Sequence, residues 1–172
     1  MNSIKFCMTC NIYRPPRTSH CDTCGVCIEK MDHHCPWLGT CIGKKNYKQF
    51  YLFLFSLFAE LVVIFTMCIM IMSNNQINQI HIDLGTTLKT YPFSIILAIL
   101  CVPAFLFVAT MLFFHTYLIM KNLTTKEYIG EKWNTLSGNP YGKKSCFKNL
   151  LKMYFNVSRR EIKYKYNQHL SP

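Results

Sequence analysis

The stretch from Cys7 to Cys41 constrains the fold of this chain more than any other. It holds seven of the ten cysteines and three of the six histidines in 35 residues. Several of these cysteines are separated by two residues, the spacing that presents two thiolates to one metal ion. Few aliphatic side chains remain to form a core, so metal binding has to supply the folding free energy, about 10–16 kcal/mol for a structural zinc ion. We therefore predict that residues 1–49 form a small, irregular zinc-bound domain of turns and short β-hairpins.

Two long apolar blocks, residues 50–72 and 93–120, follow the cysteine-rich stretch, and residues 50–88 and 90–120 contain no Lys or Arg. The first block has 23 residues. At 1.5 Å per residue, a helix of that length is about 34 Å long, enough to cross a hydrocarbon core of about 30 Å. A buried helix of a soluble domain is the alternative, but no other part of the chain is large enough to surround it. We therefore predict an α-helical membrane protein with two transmembrane helices.

The basic residues predict which side of the membrane each part faces. The net charge is +11, with seven Lys and Arg residues in 1–49 and eleven in 121–172. Basic residues that flank apolar helices mark cytosolic ends, so both ends are expected in the cytosol and residues 73–92 form the loop on the far side. A cytosolic segment is kept reduced, which favours metal ligation over disulfides. The short polar segment before Cys7 gives no sign of a signal peptide.

Three residues interrupt the apolar blocks. Glu60 lies near the middle of the first block, where a charge costs at least about 2.5 kcal/mol. It is expected either to be hydrogen-bonded at a helix contact or to line a substrate cavity. Pro103 is expected to kink the second helix, which membrane bundles tolerate. His115, near the cytosolic end, is expected to be hydrogen-bonded at an interface rather than to act as a ligand.

Residues 121–172 form a basic tail with two helical signals. Thr124 and Glu127 have the spacing of a capping box, in which the threonine is the N-cap of a short helix. From Phe147 to Phe155, apolar residues recur at helical spacing and the lysines avoid that stripe. This pattern is typical of a basic amphipathic helix, which would either lie on the bilayer or pack against the zinc domain.

Counting the ligands identifies a spare pair. The stretch offers ten candidate ligands, and two tetrahedral sites use eight, so one cysteine and one histidine are left over. Cys35 is the natural spare because it belongs to no Cys-x2-Cys pair, although the count alone would also allow Cys41. Asp32, His33 and Cys35 would supply an orienting carboxylate, a base and a thiol nucleophile. The alternative is that Cys35 is itself a ligand in a plain zinc scaffold.

Residues 7–50 resemble the cysteine-rich domain of the DHHC-type protein S-acyltransferases, or palmitoyltransferases. The matching positions are Cys7, Cys10, Arg14-Pro15, Arg17, His20-Cys21, Cys24, Cys27, Asp32-His33-His34-Cys35-Pro36-Trp37, Cys41-Ile42-Gly43, Asn46 and Phe50. Thr40 departs from the family pattern, which usually has asparagine there. Residues 124–127 look like the family's Thr-Thr-x-Glu motif, and Asn139-Pro140-Tyr141 with Asn149 looks like the start of its C-terminal motif.

The resemblance implies a role for every cysteine and histidine of the domain. One zinc ion would be bound by Cys7, Cys10, His20 and Cys27. The second zinc ion would be bound by Cys21, Cys24, His34 and Cys41. Cys35 would be the nucleophile that accepts the acyl group, with His33 as its base and Asp32 as the residue that orients His33.

The activity that the resemblance implies has two steps. Cys35 takes a long-chain acyl group such as palmitoyl from acyl-CoA and passes it to a cysteine of a membrane-associated protein close to the bilayer. The phosphates of CoA need cationic partners, and attraction to lipid headgroups is the alternative role for such cations. The candidate contacts are Lys44, Lys45, Lys48, Arg14 and Arg17. We expect the protein in the Golgi or the endoplasmic reticulum rather than in the plasma membrane.

Family members usually have four membrane helices, with the cysteine-rich domain between the second and the third. The resemblance covers the second half of such a protein, so two further helices or a partner subunit are expected to complete the acyl cavity. A shortened, catalytically inactive zinc-binding membrane adaptor is the main alternative function. A nucleic-acid-binding zinc module is disfavoured because membrane helices follow directly and the chain shows no basic recognition helix.

Overall fold

The computed structural model describes residues 5–74, 84–131, 138–142 and 149 of the chain. Within them, three β-hairpins come first and the helices follow. The strands are β1 (Phe6–Cys7), β2 (Ile12–Tyr13), β3 (Thr18–Cys21), β4 (Val26–Glu29), β5 (His33–Cys35) and β6 (Thr40–Ile42). The helices are α1 (Tyr47–Asn74), α2 (Leu84–Thr90), α3 (Pro92–Lys121) and α4 (Thr125–Ile129).

Each hairpin pairs two consecutive strands in antiparallel register. The pairing sets candidate metal ligands opposite each other, His20 against Cys27 in the second hairpin and His34 against Cys41 in the third. The turn of the second hairpin ends at Gly25 with a φ of +67°, a conformation that glycine adopts without steric cost. The turns and short hairpins predicted for the cysteine-rich domain are confirmed.

α1 and α3 are long and apolar enough to cross a membrane. They pack along each other, yet only 11% of the most apolar stretch of α1 and 22% of that of α3 are buried. A soluble monomer rarely exposes apolar surface on this scale, which favours a membrane setting for both helices. The predicted fold class, an α-helical membrane protein with two such helices and a small cysteine-rich domain, is confirmed.

The helix ends differ slightly from the predicted spans. α1 begins at Tyr47 rather than at residue 50, because its first turn includes Lys48 and Gln49, which hydropathy assigns to the preceding domain. α3 carries Pro103 in its interior. α2 lies within the predicted loop 73–92, whose polar composition did not predict a helix.

The cysteine-rich domain sits on the first turns of α1 and the last turns of α3. One shared core contains Cys35, Ile42, Phe50, Tyr51, Leu54, Leu112 and Ile119. Two hydrogen bonds join the helices beside this core, Tyr47 to His115 at 3.0 Å and Tyr51 to Thr116 at 2.8 Å. The prediction that His115 is hydrogen-bonded is thus confirmed, and the third hairpin is fixed against both helices.

α4 is tied back onto the cysteine-rich domain. The capping box predicted there is confirmed, because the Thr124 hydroxyl accepts from the Glu127 N–H at 3.2 Å and the Glu127 carboxylate accepts from the Thr124 N–H at 3.0 Å. Glu127 also accepts two hydrogen bonds from Arg17, at 2.8 and 2.6 Å. A residue between the first two hairpins therefore anchors the segment that follows the membrane helices.

Parts of the tail cap the end of α3. The side-chain amide of Asn139 donates to the Lys121 carbonyl, and that of Asn149 donates to the Met120 carbonyl, both at 2.9 Å. These carbonyls belong to the last turn of the helix, where the backbone itself supplies no donors. Apart from Asn149, the amphipathic helix predicted from Phe147 to Phe155 lies outside the described residues.

Candidate active site and metal centres

The first metal centre forms between the first and second hairpins. Its four residues are Cys7, Cys10, His20 and Cys27, whose ligand atoms all lie within 4.8 Å of one another. The three sulfurs lie 3.3–3.8 Å from Nδ1 of His20. A tetrahedral zinc ion with ordinary bond lengths places sulfur and nitrogen about 3.5 Å apart. The donor atoms and their spacing therefore fit a four-coordinate zinc ion.

The second metal centre joins the second and third hairpins. Its four residues are Cys21, Cys24, His34 and Cys41, again with all ligand atoms within 4.8 Å. The sulfurs lie 3.4–3.7 Å from Nδ1 of His34, and those of Cys24 and Cys41 are 3.5 Å apart. The structure thus brings together the same two sets of four that the family resemblance implies, and each set could hold a metal ion.

The thiols of each centre differ in how readily they ionise. A backbone N–H lowers the pKa of Cys7, and likewise that of Cys21, to about 6. Burial, together with the neighbouring thiols, raises the pKa of Cys27 and of Cys41 to about 12. One thiolate per centre therefore forms easily, whereas Cys27 and Cys41 need a cation before they ionise, and metal binding is expected to release protons.

The third hairpin separates the metal ligands from the reactive pair. Side chains alternate between the two faces of a strand, so in β5 His34 points to the second metal centre while His33 and Cys35 share the opposite face. Cys35 packs into the core at the base of the membrane helices and is 6% exposed. Of the two spares that ligand counting allowed, Cys41 lies in a cluster that could hold a metal ion, and among the described residues Cys35 lies in no such cluster with other cysteines.

Asp32 holds His33 in place. Its side chain is almost fully buried, and Oδ2 lies 2.7 Å from Nδ1 of His33. Thr125, in the first turn of α4, donates two further hydrogen bonds to this carboxylate, from its N–H to Oδ1 at 2.8 Å and from its hydroxyl to Oδ2 at 2.7 Å. The carboxylate is therefore fixed from two sides before it orients the imidazole.

The surroundings favour a charge on both members of this pair. Burial opposes the ionisation of Asp32, but hydrogen bonds from His33 and Thr125 outweigh it and hold the pKa of this carboxyl below its usual value. The hydrogen bond to Asp32 raises the pKa of His33 against the opposing effect of burial, and the Cys35 thiol adds to the rise. A histidine that readily takes a proton beside a thiol is the arrangement that activates a cysteine nucleophile.

Gly43 and Asn46 lock the third hairpin onto the start of α1. The Asn46 side chain accepts from the Gly43 N–H and donates to the Cys41 carbonyl, both at 2.9 Å. A Cβ on Gly43 would lie 2.7 Å from the Ile28 side chain and 3.0 Å from the Glu29 carbonyl oxygen, closer than packing permits. These two motif residues therefore position the strand that carries the site rather than take part in its chemistry.

The basic residues predicted to contact phosphate lie in different environments. Lys44 and Lys45 are exposed just before α1, and Lys44 pairs with Glu29 at 2.6 Å. Lys48 and Arg14 are half-buried. The two exposed lysines are the members of this set that are most open to an anion from solvent.

Arg17 is engaged within the protein. Its side chain is 5% exposed and donates to both Glu127 oxygens, to the Asn122 side chain and to the Asn122 carbonyl. The guanidinium also lies 4.9 Å from the centre of the Tyr141 ring. Its donors are thus directed at the tail segment rather than at solvent.

Sequence reasoning missed two neighbours of the site. The first is Thr125, which the capping box places in the first turn of α4, where N–H groups are free, but the sequence does not say which acceptor they meet. The second is His115, whose ring centre lies 6.0 Å from that of His33. Its burial in an apolar helix was a signal of function, but only the fold shows its neighbours.

Known proteins are similar to this chain in sequence. A family model described as DHHC palmitoyltransferase matches residues 1–132. The human palmitoyltransferase ZDHHC18 is 38% identical over 154 residues, which are 87% of this chain and 39% of the relative. The mouse palmitoyltransferase ZDHHC14 is 41% identical over 150 residues, which are 85% of this chain and 30% of the relative. The palmitoyltransferase ZDHHC9 of Danio rerio is 40% identical over 148 residues, with shares of 85% and 38%.

The chain spans about two fifths or less of the length of these curated relatives. The matched segment nevertheless includes both metal centres, the Asp32–His33–Cys35 group and α4. With its family model matched over residues 1–132, the chain belongs to the DHHC palmitoyltransferase family.

Proposed function

We propose that this chain carries the catalytic centre of a protein S-acyltransferase that moves a long-chain acyl group, such as palmitoyl, from acyl-CoA to protein cysteines. One observation carries the proposal. His33 is held by the Asp32 carboxylate at 2.7 Å and shares a strand face with Cys35, on the side of β5 opposite the metal ligand His34. The relatives named above are palmitoyltransferases, which supports the same activity.

The proposed chemistry consists of two thioester exchanges. His33 takes the proton of Cys35, whose sulfur attacks the carbonyl of acyl-CoA and displaces the CoA thiolate, which takes up the proton from His33. A substrate cysteine then gives its proton to His33 and attacks the Cys35 thioester, which returns the Cys35 thiolate. Because each step replaces one thioester by another, the protein has to supply orientation and a thiolate rather than a large driving force.

Two zinc ions are proposed to hold the domain together without entering the chemistry. Each centre offers four protein ligands, which fill the tetrahedral positions and leave no open site for substrate, as in other structural zinc sites. The metal would hold the hairpins in register and so place Cys35 against α1 and α3. The proposed domains are 1–49 for this unit, 50–72 and 93–120 for the membrane spans, and 121–172 for the tail.

The site is proposed to lie at the cytosolic face of the bilayer. Cys35 shares a core with Phe50, Leu54 and Leu112, at the ends of the two apolar helices, so an acyl chain attached to its sulfur could extend along them. Substrates would be membrane-associated proteins with a cysteine near that surface, in the Golgi or endoplasmic reticulum. Further membrane helices or a partner subunit would cover the apolar faces of α1 and α3 that stay exposed here.

Exposed cations near the site are proposed to receive the phosphates of CoA. Lys44 and Lys45 precede α1 and are open to solvent. A cavity of about 300 Å³ lies between the cysteine-rich domain and α4. Lys5 and Lys126 line it and are two further candidate contacts. Arg17 is buried in its pair with Glu127, whereas Lys44 pairs with Glu29 at the surface, so the two lysine pairs are better placed than Arg17 for this role.

Acyl labelling with site mapping tests the proposed function. The full chain in microsomal membranes is incubated with an alkyne-tagged palmitoyl-CoA, and labelled peptides are identified by mass spectrometry with and without hydroxylamine. We expect a hydroxylamine-sensitive label on Cys35 that passes to an added peptide with a membrane-proximal cysteine. Absence of label, or label confined to Cys68 and Cys101, would instead support the inactive membrane adaptor.

Removing one ligand of a metal centre is expected to halve the metal content. Purified wild-type chain should carry two zinc ions, and Cys24→Ser should carry about one, with loss of Cys35 acylation because the second centre holds β5 in place. The measurement is metal analysis by mass spectrometry on protein washed free of loose ions. Cys68→Ser, a buried cysteine of α1, is the matched control and should keep both ions. An unchanged zinc content in Cys24→Ser would contradict the assignment.

Glu60 is expected to restrict the length of the acyl chain. Its side chain is exposed on α1, within the apolar span, and a carboxyl group there would oppose entry of further methylenes. Stearoyl has two more CH₂ groups than palmitoyl, and each CH₂ transferred out of water gains about 0.8 kcal/mol, so Glu60→Leu should raise the ratio of stearoyl to palmitoyl transfer by up to about 15-fold. Acyl-CoA competition measures this ratio. Ser56→Leu, one turn earlier, is the control, and an unchanged profile for Glu60→Leu would refute the role.

A further inference from the structure

His115 is a buried polar residue that the proposed chemistry does not use. It lies in the apolar helix α3, is 2% exposed and belongs to the core-facing side of that helix. Polar side chains buried in an apolar setting are costly unless they are hydrogen-bonded, and ionisable residues inside membrane segments usually serve a function. The neighbours of His115 indicate what that function is.

Tyr47 fixes one side of the imidazole. The Tyr47 hydroxyl lies 3.0 Å from Nδ1 of His115. The Phe50 ring stands edge-on to both histidines, 5.0 Å from His115 and 5.4 Å from His33 between ring centres. With Nδ1 engaged by the tyrosine, Nε2 is the atom left to meet the active site.

The active-site carboxylate has room for one more donor. Among the described residues, Asp32 accepts three hydrogen bonds, two from Thr125 and one from His33. An ionised carboxylate offers about four acceptor positions. One ring nitrogen of His115 lies within 4.8 Å of both an Asp32 oxygen and a ring nitrogen of His33, a separation that one water molecule bridges.

We propose that His115, anchored by Tyr47, is a positioning residue for acyl transfer that acts through Asp32 and His33. Its Nε2–H is shared with the Asp32 carboxylate across one water molecule. This contact, together with the Phe50 ring packed edge-on against both imidazoles, keeps the His33 ring aimed at Cys35. The inference rests on the proposed acyltransferase function, because its readout is the acylation of Cys35.

A purely structural role for His115 predicts a different effect of substitutions at this position. If His115 served only to bond Tyr47 across the helix pair, any side chain that keeps that bond would suffice. Asparagine places an amide near the position of Nδ1, whereas glutamine places it near the position of Nε2. The two amides therefore separate the interhelical bond from the contact with the active site, and phenylalanine removes both.

The test measures the rate of Cys35 acylation in the full chain in membranes against palmitoyl-CoA concentration. We expect His115→Phe to lower the saturating rate about 30-fold, as misplacement of reacting groups does, with the half-saturating concentration unchanged. His115→Gln should recover to within about threefold of wild type, and His115→Asn should stay low. Thr116→Val, which breaks the neighbouring bond to Tyr51, is the control and should behave as wild type.

Each outcome decides the question. Recovery by asparagine but not by glutamine would overturn the inference in favour of the interhelical bond, and so would a wild-type rate in His115→Phe. Equal loss in all three His115 variants, with lowered thermal stability, would show a packing role and also overturn it. A wild-type chain that takes no label on Cys35 would refute the proposed function itself, and is distinguished from the other outcomes because it is seen before any variant is made.

Discussion

Replacement of Asp32 by asparagine is expected to slow acylation of Cys35 by about 10³-fold or more, with the fold and both metal centres retained. The amide can still accept from the Thr125 N–H where Oδ1 does now. At the Oδ2 position it would present an N–H to Nδ1 of His33, which lies 2.7 Å away. That contact moves the imidazole proton to Nε2, the tautomer that cannot take a proton from a thiol, and such a switch costs a triad enzyme about 10⁴-fold.

Asp32→Asn also removes the negative charge that stabilises the protonated form of His33. The hydrogen bond to Asp32 is the largest cause of the raised pKa of His33. Without it the pKa of His33 falls, so less of the Cys35 thiolate is balanced by imidazolium at neutral pH. Both effects act on the same step, and both reduce the maximal rate rather than the affinity for acyl-CoA.

Single-turnover labelling at saturating palmitoyl-CoA measures this effect, with zinc content as the test of folding. Thr125→Val is the matched control, because it removes only the hydroxyl bond to Oδ2 and keeps the backbone N–H bond to Oδ1. A hydrogen bond to a charged group contributes about 1.5–3 kcal/mol, so the control should lose about 10- to 100-fold, less than Asp32→Asn. If Asp32→Asn acylates within tenfold of wild type, Asp32 does not orient the base.

The two clusters of cysteine and histidine illustrate what local sequence predicts well, whereas the reactive pair stays a prediction. The stretch 7–41 has short Cys-x2-Cys spacings and too few aliphatic side chains to form its own core, so it requires metal centres. Eight ligands fill two such centres and leave a spare cysteine and a spare histidine. Counting alone did not decide between Cys35 and Cys41. The register of the third hairpin does, because His34 and Cys41 are opposed and strand alternation turns Cys35 to the other face.

Contacts between segments that are far apart in the chain could not be predicted from the sequence. Thr125 reaches Asp32 across 93 residues of chain, and Tyr47 meets His115 across 68. Periodicity and capping signals locate each residue on its own element, but they do not fix how a hairpin docks on the ends of two membrane helices. The polar first turn of α1 was likewise assigned to the preceding domain, because hydropathy measures lipid contact rather than hydrogen bonding.

Replacement of Arg17 by methionine is expected to destabilise the packing of α4 on the cysteine-rich domain by about 3–5 kcal/mol, the usual cost of removing one partner of a buried ion pair. Glu127 is 6% exposed and accepts from Arg17 at 2.8 and 2.6 Å. Without the guanidinium, the capping-box N–H of Thr124 is the one hydrogen-bond donor left to this buried carboxylate among the described residues. Acylation of Cys35 should fall together with this stability, since α4 carries Thr125, which donates two hydrogen bonds to Asp32.

A double-mutant cycle measures the coupling between Arg17 and Glu127. Arg17→Met with Glu127→Gln should be more stable than Arg17→Met alone, because the neutral amide needs no counter-ion. Arg17→Lys keeps the charge but not the two-pronged geometry, so it should fall between wild type and Arg17→Met. The rate of proteolysis of the α4 segment under native conditions reports the free energy needed to undock this segment from the cysteine-rich domain.

The same variants decide what Arg17 is for. A residue that binds CoA phosphate would raise the half-saturating concentration of acyl-CoA in Arg17→Met, leave stability unchanged and show no rescue by Glu127→Gln. A buried ion pair predicts lower stability, a lower maximal rate and rescue by the second substitution. The donors of Arg17 are already occupied within the protein, which favours the ion pair. If Arg17→Met changes the free energy of opening of the α4 segment by less than about 1 kcal/mol, the range of an exposed pair, the hydrogen bonds of Arg17 do not stabilise the docked α4.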